Sequence, residues 1–220
     1  MADNNKKSNF SSLSQGEGRG EALITGAEAL MRSLEHQGVK TIFGYPGGSI
    51  MPVFDALYDH RKELNHILVR HEQGATHAAQ GFARVSGEVG VCLVTSGPGA
   101  TNTITGIADA MIDSTPIVVI AGQVGTNFLG TDAFQEVDLV GITQPITKWS
   151  YQIRRAEDVA WAVARAFYVA KSGVRDRSCW ILLKTPKWRK QNMRLLRWTM
   201  SVAIFPFPKW SRRPYGRLLN

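Results

Sequence analysis

A pattern that recurs through the first 173 residues constrains the fold: an apolar run, a glycine-rich turn and then a helical pattern. The apolar runs 39–43 and 89–95 lead into the turns 44–49 and 96–102. Strands that alternate with helices form parallel sheets, because each helix carries the chain back to the start of the next strand. The continuous apolar run 116–121 fits a strand buried on both faces. The sequence therefore predicts an α/β fold, a doubly wound parallel sheet with helices on both faces.

A carboxylate stands where one of these strands meets its helix. Residues 67–69 are apolar, and we interpret them as a buried strand; Glu72 opens the helical pattern that follows. In open α/β sheets, ligands bind in the crevice at the carboxyl ends of the strands, so Glu72 is a candidate for chemistry. An acid in the first turn of a helix is also stabilised by the helix dipole. Taken alone, Glu72 fits that structural role more often than a catalytic one.

The two glycine-rich turns are candidate ligand-binding loops. Glycine lets the backbone approach a ligand closely, and the N-terminus of the following helix is electrostatically positive. The first turn, taken alone, fits a tight strand-to-helix connection equally well. Residues 122–148 form a long irregular stretch, and loops of that length in compact domains tend to be functional or mobile.

Composition divides the chain into three segments. Residues 1–20 are rich in Asn, Ser, Lys and Gly and lack the apolar core of a secretory signal, so we predict a disordered tail. Residues 21–173 are the predicted domain, and the first 173 residues carry 14 Lys and Arg against 17 Asp and Glu. Residues 174–220 carry 12 basic residues, one acid and four of the six tryptophans. The net charge of +8 therefore comes from the last segment alone.

The apolar runs and the cysteines limit the classes of protein to which the chain can belong. The longest apolar runs are far shorter than the roughly 20 residues that a membrane-spanning helix needs. Cys92 and Cys179 provide neither a disulfide framework nor the spacing of a metal site. We therefore expect a cytoplasmic protein with no membrane partner and no metal ligands of its own.

Four motifs follow one another at a specific spacing: 43–48 (Phe-Gly-Tyr-Pro-Gly-Gly), 70–75 (Arg-His-Glu-Gln-Gly-Ala), 95–102 (Thr-Ser-Gly-Pro-Gly-Ala-Thr-Asn) and 130–136 (Gly-Thr-Asp-Ala-Phe-Gln-Glu). Together they resemble the large, catalytic subunit of acetohydroxyacid synthase, also called acetolactate synthase. The likeness covers about residues 21–173. In the family, this part is the amino-terminal pyrimidine-binding domain of a thiamine-diphosphate enzyme.

The resemblance implies a reaction and its cofactors. In this family pyruvate is decarboxylated on thiamine diphosphate, and the two-carbon unit passes to a second 2-keto acid, pyruvate or 2-ketobutyrate. The reaction leads to valine, leucine and isoleucine. FAD and magnesium are held mainly by domains that have no counterpart in this chain. The family forms a homodimer or homotetramer whose active site lies across the dimer interface, and a regulatory subunit is a further partner.

The resemblance also assigns roles to individual residues. Glu72 resembles the glutamate that hydrogen-bonds the pyrimidine ring nitrogen of the cofactor, which favours the imino tautomer. Gln135, with Phe134 beside it on the substrate side, resembles the glutamine near the thiazolium and the reacting carbonyl, where an amide can donate to a developing oxyanion. The remaining cofactor-binding positions lie in the two glycine-rich turns, and they are Tyr45, Pro46, Gly47, Gly48, Pro98, Gly99 and Asn102.

From Val174 onward the chain departs from the family sequence. A single-base deletion after the codon for Gly173 would explain the departure, because restoring one base gives the family reading Arg-Pro-Gly-Pro-Val-Leu-Leu-Asp. We therefore hypothesise that residues 174–220 are an out-of-frame basic tail and that the chain is a truncated subunit, inactive alone. Residues 179–183 remain apolar and are candidates for an edge strand of the sheet.

Two alternatives stay open on the sequence. One is another thiamine-diphosphate carboligase or oxidase, although the motif 130–136 and the glycine pair Gly47–Gly48 favour the synthase. The other is a non-catalytic binding module that uses the basic tail. Nucleic acid is not expected as its partner, because the tail shows no groove-like or motif-like arrangement of its aromatic residues.

Overall fold

A six-stranded parallel sheet organises the computed structural model of the chain, which describes residues 23–172, 179–184 and 191–192. The strand order is β3-β2-β4-β5-β7-β6, and every neighbouring pair is parallel. These strands are β2 Thr41–Gly44, β3 Asn65–Leu68, β4 Gly90–Val94, β5 Ile117–Gln123, β6 Trp149–Ile153 and β7 Cys179–Lys184. A separate antiparallel pair joins β1 Leu23–Ile24 to β8 Gln191–Asn192.

Helices connect the strands of the large sheet along the chain. They are α1 Gly26–His36, α2 Met51–Asp59, α3 Glu72–Ser86, α4 Pro98–Thr101, α5 Ile104–Ile112, α6 Leu139–Thr143 and α7 Val159–Lys171. Thr25 caps α1, since its side-chain oxygen accepts a hydrogen bond of 3.1 Å from the backbone N–H of Glu28. None of the described helices combines the length and the apolar character needed to cross a bilayer.

Helices cover both faces of the sheet, and β4 shows how the sequence achieves this. Val91 and Leu93 pack into a core with α1, α2 and α7, whereas Cys92 and Val94 pack into a second core with α3 and α5. All five residues of β4 are buried, because successive side chains of a strand point to opposite faces. The doubly wound α/β fold predicted from the sequence is confirmed.

Helix α7 buries an apolar stripe. Its buried residues recur at helical spacing and pack against α1 and the sheet. They are Val159, Ala162, Val163, Ala166, Phe167 and Ala170.

Strand β3 differs from the sequence-based interpretation. The apolar residues near Glu72 suggested a buried strand, but Ile67 is 41% exposed and Leu68 is 63% exposed. The physical reason is the position of β3, which is an outermost strand of the sheet and, among the described strands, pairs with β2 alone. The apolar residues therefore predicted the strand correctly, but the prediction that the strand is buried was wrong.

One further expectation is corrected by the order of the elements. Strand β7 lies between β5 and β6, so the segment that includes residues 179–183 is an interior strand and not an edge strand.

A break at Asn102 and Thr103 separates α4 from α5. The hydroxyl of Thr103 donates to the carbonyl of Ala100, and its backbone N–H donates to the same oxygen. This tightens the turn into an i to i+3 pattern.

The predicted domain boundary near Gly173 remains a prediction. Residues 1–20, and most of the segment 174–220, lie outside the described residues.

Candidate functional site

Glu72 is the first residue of α3, at the carboxyl-terminal edge of the sheet. Its neighbour His71 caps the helix by accepting a hydrogen bond of 3.2 Å from the backbone N–H of Gln73. Glu72 is only 8% exposed, and its Oε2 accepts a hydrogen bond of 2.9 Å from the side-chain amide of Asn102. A carboxylate is costly to bury without partners, so this amide donor is a necessary part of the arrangement.

The turn after β4 brings backbone against the second oxygen of Glu72. A Cβ atom built on Gly99 would lie 3.2 Å from Glu72 Oε1 and 2.5 Å from Thr95 Cγ2. Glycine is therefore required at this position, because any side chain would collide with Thr95 and crowd the carboxylate. The result is a cradle that has no side chain on the side facing Glu72 Oε1.

The turn after β2 is fastened to the end of β4. A Cβ atom on Gly47 would lie 2.5 Å from Thr95 Cβ, so the backbone of this turn packs directly on Thr95. Ser49 Oγ accepts a hydrogen bond of 3.0 Å from the backbone N–H of Ser96 and lies 3.0 Å from Thr95 Oγ1. The N–H of Tyr45 donates to the carbonyl of Leu93 over 3.1 Å. The two glycine-rich turns thus form one unit.

Gln135 reaches the same unit through the loop after β5. It adopts a left-handed backbone conformation with φ 63°, which is uncommon for a residue other than glycine. A Cβ atom on Gly97, whose φ is +56°, would lie 2.8 Å from the Cα of Gln135. The main chain of Gln135 therefore packs on the turn that also lies against Glu72.

Glu136 organises the loop that carries Gln135. Its Oε1 accepts a hydrogen bond from the backbone N–H of Gly130, and its Oε2 accepts bonds of 3.2 Å from the N–H groups of Thr131 and Ala133. The N–H of Gly130, with those of Ala133 and Thr131, holds the pKa of the Glu136 carboxyl below its ordinary value. These backbone N–H groups thus donate to the Glu136 carboxylate and not to the carbonyl groups of a helix or a strand.

The apolar side of Glu72 is marked by a buried thiol. Cys92, on β4, is fully buried, and burial together with the negative charge of Glu72 raises the pKa of its thiol well above the ordinary range. Cys92 is therefore a neutral packing residue beneath the site.

This arrangement presents a carboxyl group whose orientation is fixed. Asn102 holds Oε2 of Glu72, while Oε1 faces the backbone of Gly99, where there is no side chain. The structure thus brings together most of the residues that the sequence selected, namely Glu72, Asn102, Pro98, Gly99, Gly47 and Gln135.

Four of the selected residues are less closely tied to this centre. Gly48 would place a Cβ atom in open space, with nothing within 4 Å. Phe134 is 88% exposed, and Tyr45 is 39% exposed with its backbone bonded to β4. Pro46 precedes the Gly47 contact and is half-buried. The roles assigned to all of these side chains stay predictions.

A comparison with protein families identifies a family that matches this part of the chain. Residues 24–142 match the family described as "Thiamine pyrophosphate enzyme, N-terminal TPP binding domain". The chain belongs to this family. Thiamine pyrophosphate is thiamine diphosphate, and the matched span of this TPP binding domain contains Glu72, both glycine-rich turns and Gln135.

Individual relatives of this TPP binding domain share one name. The chain is 50% identical over 194 residues to an acetolactate synthase of Mycobacterium bovis, covering 88% of the chain and 31% of that relative. It is 56% identical over 165 residues to an acetolactate synthase large subunit of Pyropia yezoensis, covering 74% of the chain and 28% of the relative. The Lactococcus lactis large subunit is 54% identical over 153 residues, covering 70% and 26%. The chain therefore spans about a third of these relatives or less.

Three side chains of this TPP binding domain have a structural role that the sequence did not indicate. They are Ser49, which ends the first glycine-rich turn, and Thr95 and Glu136, which stand within the quoted motifs. Only the structure shows that they hold the turns and the loop together. In the sequence, these residues could have been recognised only by their closeness to glycines of the turns and the loop, whose backbone needs a neighbouring side chain to hold it. A short hydroxyl or carboxyl side chain beside such a glycine is a common partner for turn N–H groups.

A separate cavity of about 720 Å³ lies at the opposite end of the strands. Arg84 and Asp113, which line it, form an ion pair with each other. Among the described residues, no group of three His, Cys, Asp or Glu side chains is placed to hold a metal ion.

Proposed function

We propose that this chain is the pyrimidine-binding part of an acetolactate synthase large subunit. The complete enzyme would decarboxylate pyruvate and transfer the two-carbon unit to a second 2-keto acid, pyruvate or 2-ketobutyrate, on the route to the branched-chain amino acids. The observation that carries the proposal is the buried Glu72 carboxylate, held by Asn102 and faced by the Gly99 backbone, in a chain about half identical to acetolactate synthases.

The residues present fit thiamine diphosphate. Its aminopyrimidine ring would meet Glu72 Oε1 at the side-chain-free cradle, while the turn of residues 45–48 would line the cofactor. When bound, thiamine diphosphate supplies a nucleophilic carbon and accepts the electron pair released when carbon dioxide leaves.

Glu72 would act by holding a proton at Oε1. The Asn102 amide fixes Oε2, so Oε1 is the oxygen that remains directed to the cradle. A carboxyl group positioned in this way transfers a proton without reorientation, and such positioned groups contribute roughly 10² to 10⁴ in rate.

Gln135 would act on the substrate. Its side-chain amide can donate a hydrogen bond to the oxygen of the reacting carbonyl, where negative charge develops. Phe134 would provide the adjoining apolar wall on the substrate side. Loss of a comparable donor lowers turnover by about 10² to 10³ in well-studied acyl-transfer sites.

The remaining parts of the enzyme belong to the proposal as well. Magnesium and FAD would be held by domains beyond the third of the relatives that this chain spans. A homodimer or homotetramer would complete the active site across a subunit interface, and a regulatory subunit would be a further partner. The cytoplasm is the proposed location.

The proposal is tested by completing the subunit. Residues 1–172 are joined to the corresponding remaining domains of the Mycobacterium bovis relative, and acetolactate is measured from pyruvate with thiamine diphosphate, magnesium and FAD. Turnover is expected, together with a loss of about 10² or more in Glu72→Gln. Glu88→Gln, at the other end of β4, is the matched control and should leave turnover unchanged.

Two results would count against this function. Absence of acetolactate from a folded, cofactor-saturated hybrid would reject the assignment to this synthase and favour another thiamine-diphosphate carboligase or oxidase. Near-normal turnover in Glu72→Gln would remove Glu72 from its proposed role. The unmodified 220-residue chain should form no acetolactate under the same conditions.

A further inference from the structure

The loop that carries Gln135 has a carboxylate at its centre. Both oxygens of Glu136 are occupied by backbone N–H groups of Gly130, Thr131 and Ala133. The N–H of Glu136 itself donates to the carbonyl of Ala133 over 2.8 Å. The side chain and the main chain of Glu136 therefore both fasten the loop that contains Gln135.

The end of this loop is anchored to the sheet. Gln123, the last residue of β5, is 2% exposed, and its side-chain amide donates to the carbonyl of Val137 over 2.8 Å. The chain after Glu136 is thus held in place by β5. Glu136 then fixes the chain before it, and Gln135 lies between the two attachments.

Gln135 is held in a conformation that it would not adopt unaided. Its φ of 63° lies in the left-handed region, where residues other than glycine carry an energetic cost. Surrounding contacts must maintain such a conformation. The contacts present are the Glu136 hydrogen bonds and the packing of Gln135 on Gly97.

We propose that Glu136 is a positioning residue, which holds the main chain of Gln135 in the left-handed conformation against Gly97 and so directs its side chain into the site. The functional part of this inference rests on the proposed function, because that function gives Gln135 its task at the reacting carbonyl. The conformational part depends only on the described contacts.

The chemistry of the loop requires a carboxylate at position 136. Three N–H donors converge on its two oxygens, and a carboxylate offers acceptors on both sides, whereas an amide of the same shape offers one acceptor and one donor. In Glu136→Gln, an NH₂ group must face at least one backbone N–H. The substitution keeps the volume of the side chain and removes the arrangement of hydrogen bonds.

The first experiment measures the loop in the intact 220-residue chain by NMR. In the parent chain, the amides of Gly130, Thr131 and Ala133 should be protected from hydrogen exchange, and Gly97 Hα should give a cross-peak to Gln135 Hα. Glu136→Gln should lose both signals while the strand amides of β4 and β5 keep theirs. Glu88→Gln is the matched control and should resemble the parent. Retention of both signals in Glu136→Gln would overturn the proposal.

The second experiment asks whether Glu136 acts through Gln135, using the hybrid subunit with the remaining Mycobacterium bovis domains. Glu136→Gln should lower kcat by as much as about 100-fold, the effect of misplacing a catalytic group by 1 Å, with little change in the KM for thiamine diphosphate. Gln135→Ala should produce a similar loss, and the double variant should be no worse than the more damaging single one.

The outcomes separate this inference from the proposed function. Additive losses in the double variant would show that Glu136 does not act through Gln135, and would overturn the functional part. If the parent hybrid makes no acetolactate, the proposed function fails, while the NMR experiment still decides whether Glu136 positions Gln135.

Discussion

The side-chain amide of Asn102 donates a hydrogen bond of 2.9 Å to Oε2 of Glu72, across 30 residues of sequence. The two residues come from the loop after β4 and from the first turn of α3. The break between α4 and α5 falls at Asn102, so its side chain is presented from a turn and not from a continuous helix. The break in the helix therefore positions the amide that orients the Glu72 carboxylate.

Removing this amide should destabilise the domain and disorder the carboxylate. Asn102→Ala leaves the nearly buried Glu72 without its side-chain donor, at a cost of about 1–3 kcal/mol in the free energy of unfolding. Urea denaturation of the 220-residue chain measures the change. Asn127→Ala, an exposed asparagine in the loop after β5, is the control and should change stability by less than about 0.5 kcal/mol. Equal stability of the two variants would show that the bond contributes nothing.

Adjacent glycines should differ sharply in their tolerance of a methyl group. Gly47→Ala places a Cβ atom 2.5 Å from Thr95 Cβ, and overpacking of this kind costs about 1–3 kcal/mol. Gly48→Ala meets nothing within 4 Å and begins a short helical turn, so it should be neutral or slightly stabilising. The free energies of unfolding of the two variants make a matched comparison. Comparable losses at both positions would contradict the packing of Gly47 on Thr95.

A histidine between two carboxylates should make stability depend on pH. His60 Nδ1 lies 2.5 Å from Glu35 Oε1, and its Nε2 lies 3.0 Å from Glu28 Oε2, while Arg32 donates to the other oxygen of Glu28, Oε1. Burial opposes the charge on the imidazole, but its hydrogen bonds to Glu35 and Glu28 outweigh this effect and raise the pKa of His60. Burial likewise opposes the charge on Glu28, but His60 and Arg32 lower the pKa of its carboxyl.

The direction of these shifts fixes the pH window. A raised His60 pKa contributes stability that is fully present below the unfolded value of about 6.5 and is lost as pH rises through the folded value. The Glu28 contribution is present above the unfolded value of about 4.5 and is lost as pH falls through its lowered folded value. The stability difference between the parent chain and His60→Gln should therefore be largest near pH 5–6 and shrink above it. A stability difference that does not change with pH would contradict the proposed interaction of His60 with Glu35 and Glu28. The exposed His36→Gln serves as the control.

The sequence predicted most of the fold, because hydrophobic runs and glycine turns report the alternation of strands and helices directly. The continuous apolar run 116–121 marked β5, all of whose residues are buried. The exposure of Ile67 and Leu68 could not be predicted in the same way. Apolar character does not reveal which strand of a sheet is outermost, because that depends on pairing between distant segments.

The sequence selected the residues of the candidate site but not their contacts, and the roles of those residues stay predictions. Glu72 was selected from the join of strand and helix, and the glycine turns were selected from their composition. The contact of Gly97 with Gln135 joins residues 38 positions apart, and no local pattern in the sequence encodes it. The positioning contacts of Ser49, Thr95 and Glu136 likewise depend on long-range or loop geometry that appears only in the folded chain.

The interior position of β7 leads to the last prediction, which concerns where the chain can be shortened. Six residues of β5 and five residues of β6 pair with β7, so removing this strand separates β6 from the rest of the sheet. A chain that ends at Ser172 should lose the cooperative unfolding transition, whereas a chain that ends at Lys184 should keep it. Circular dichroism during thermal unfolding measures both. A sharp transition in the shorter chain, at the temperature of the longer one, would show that β6 and α7 are held without β7 and that the domain is complete at residue 172.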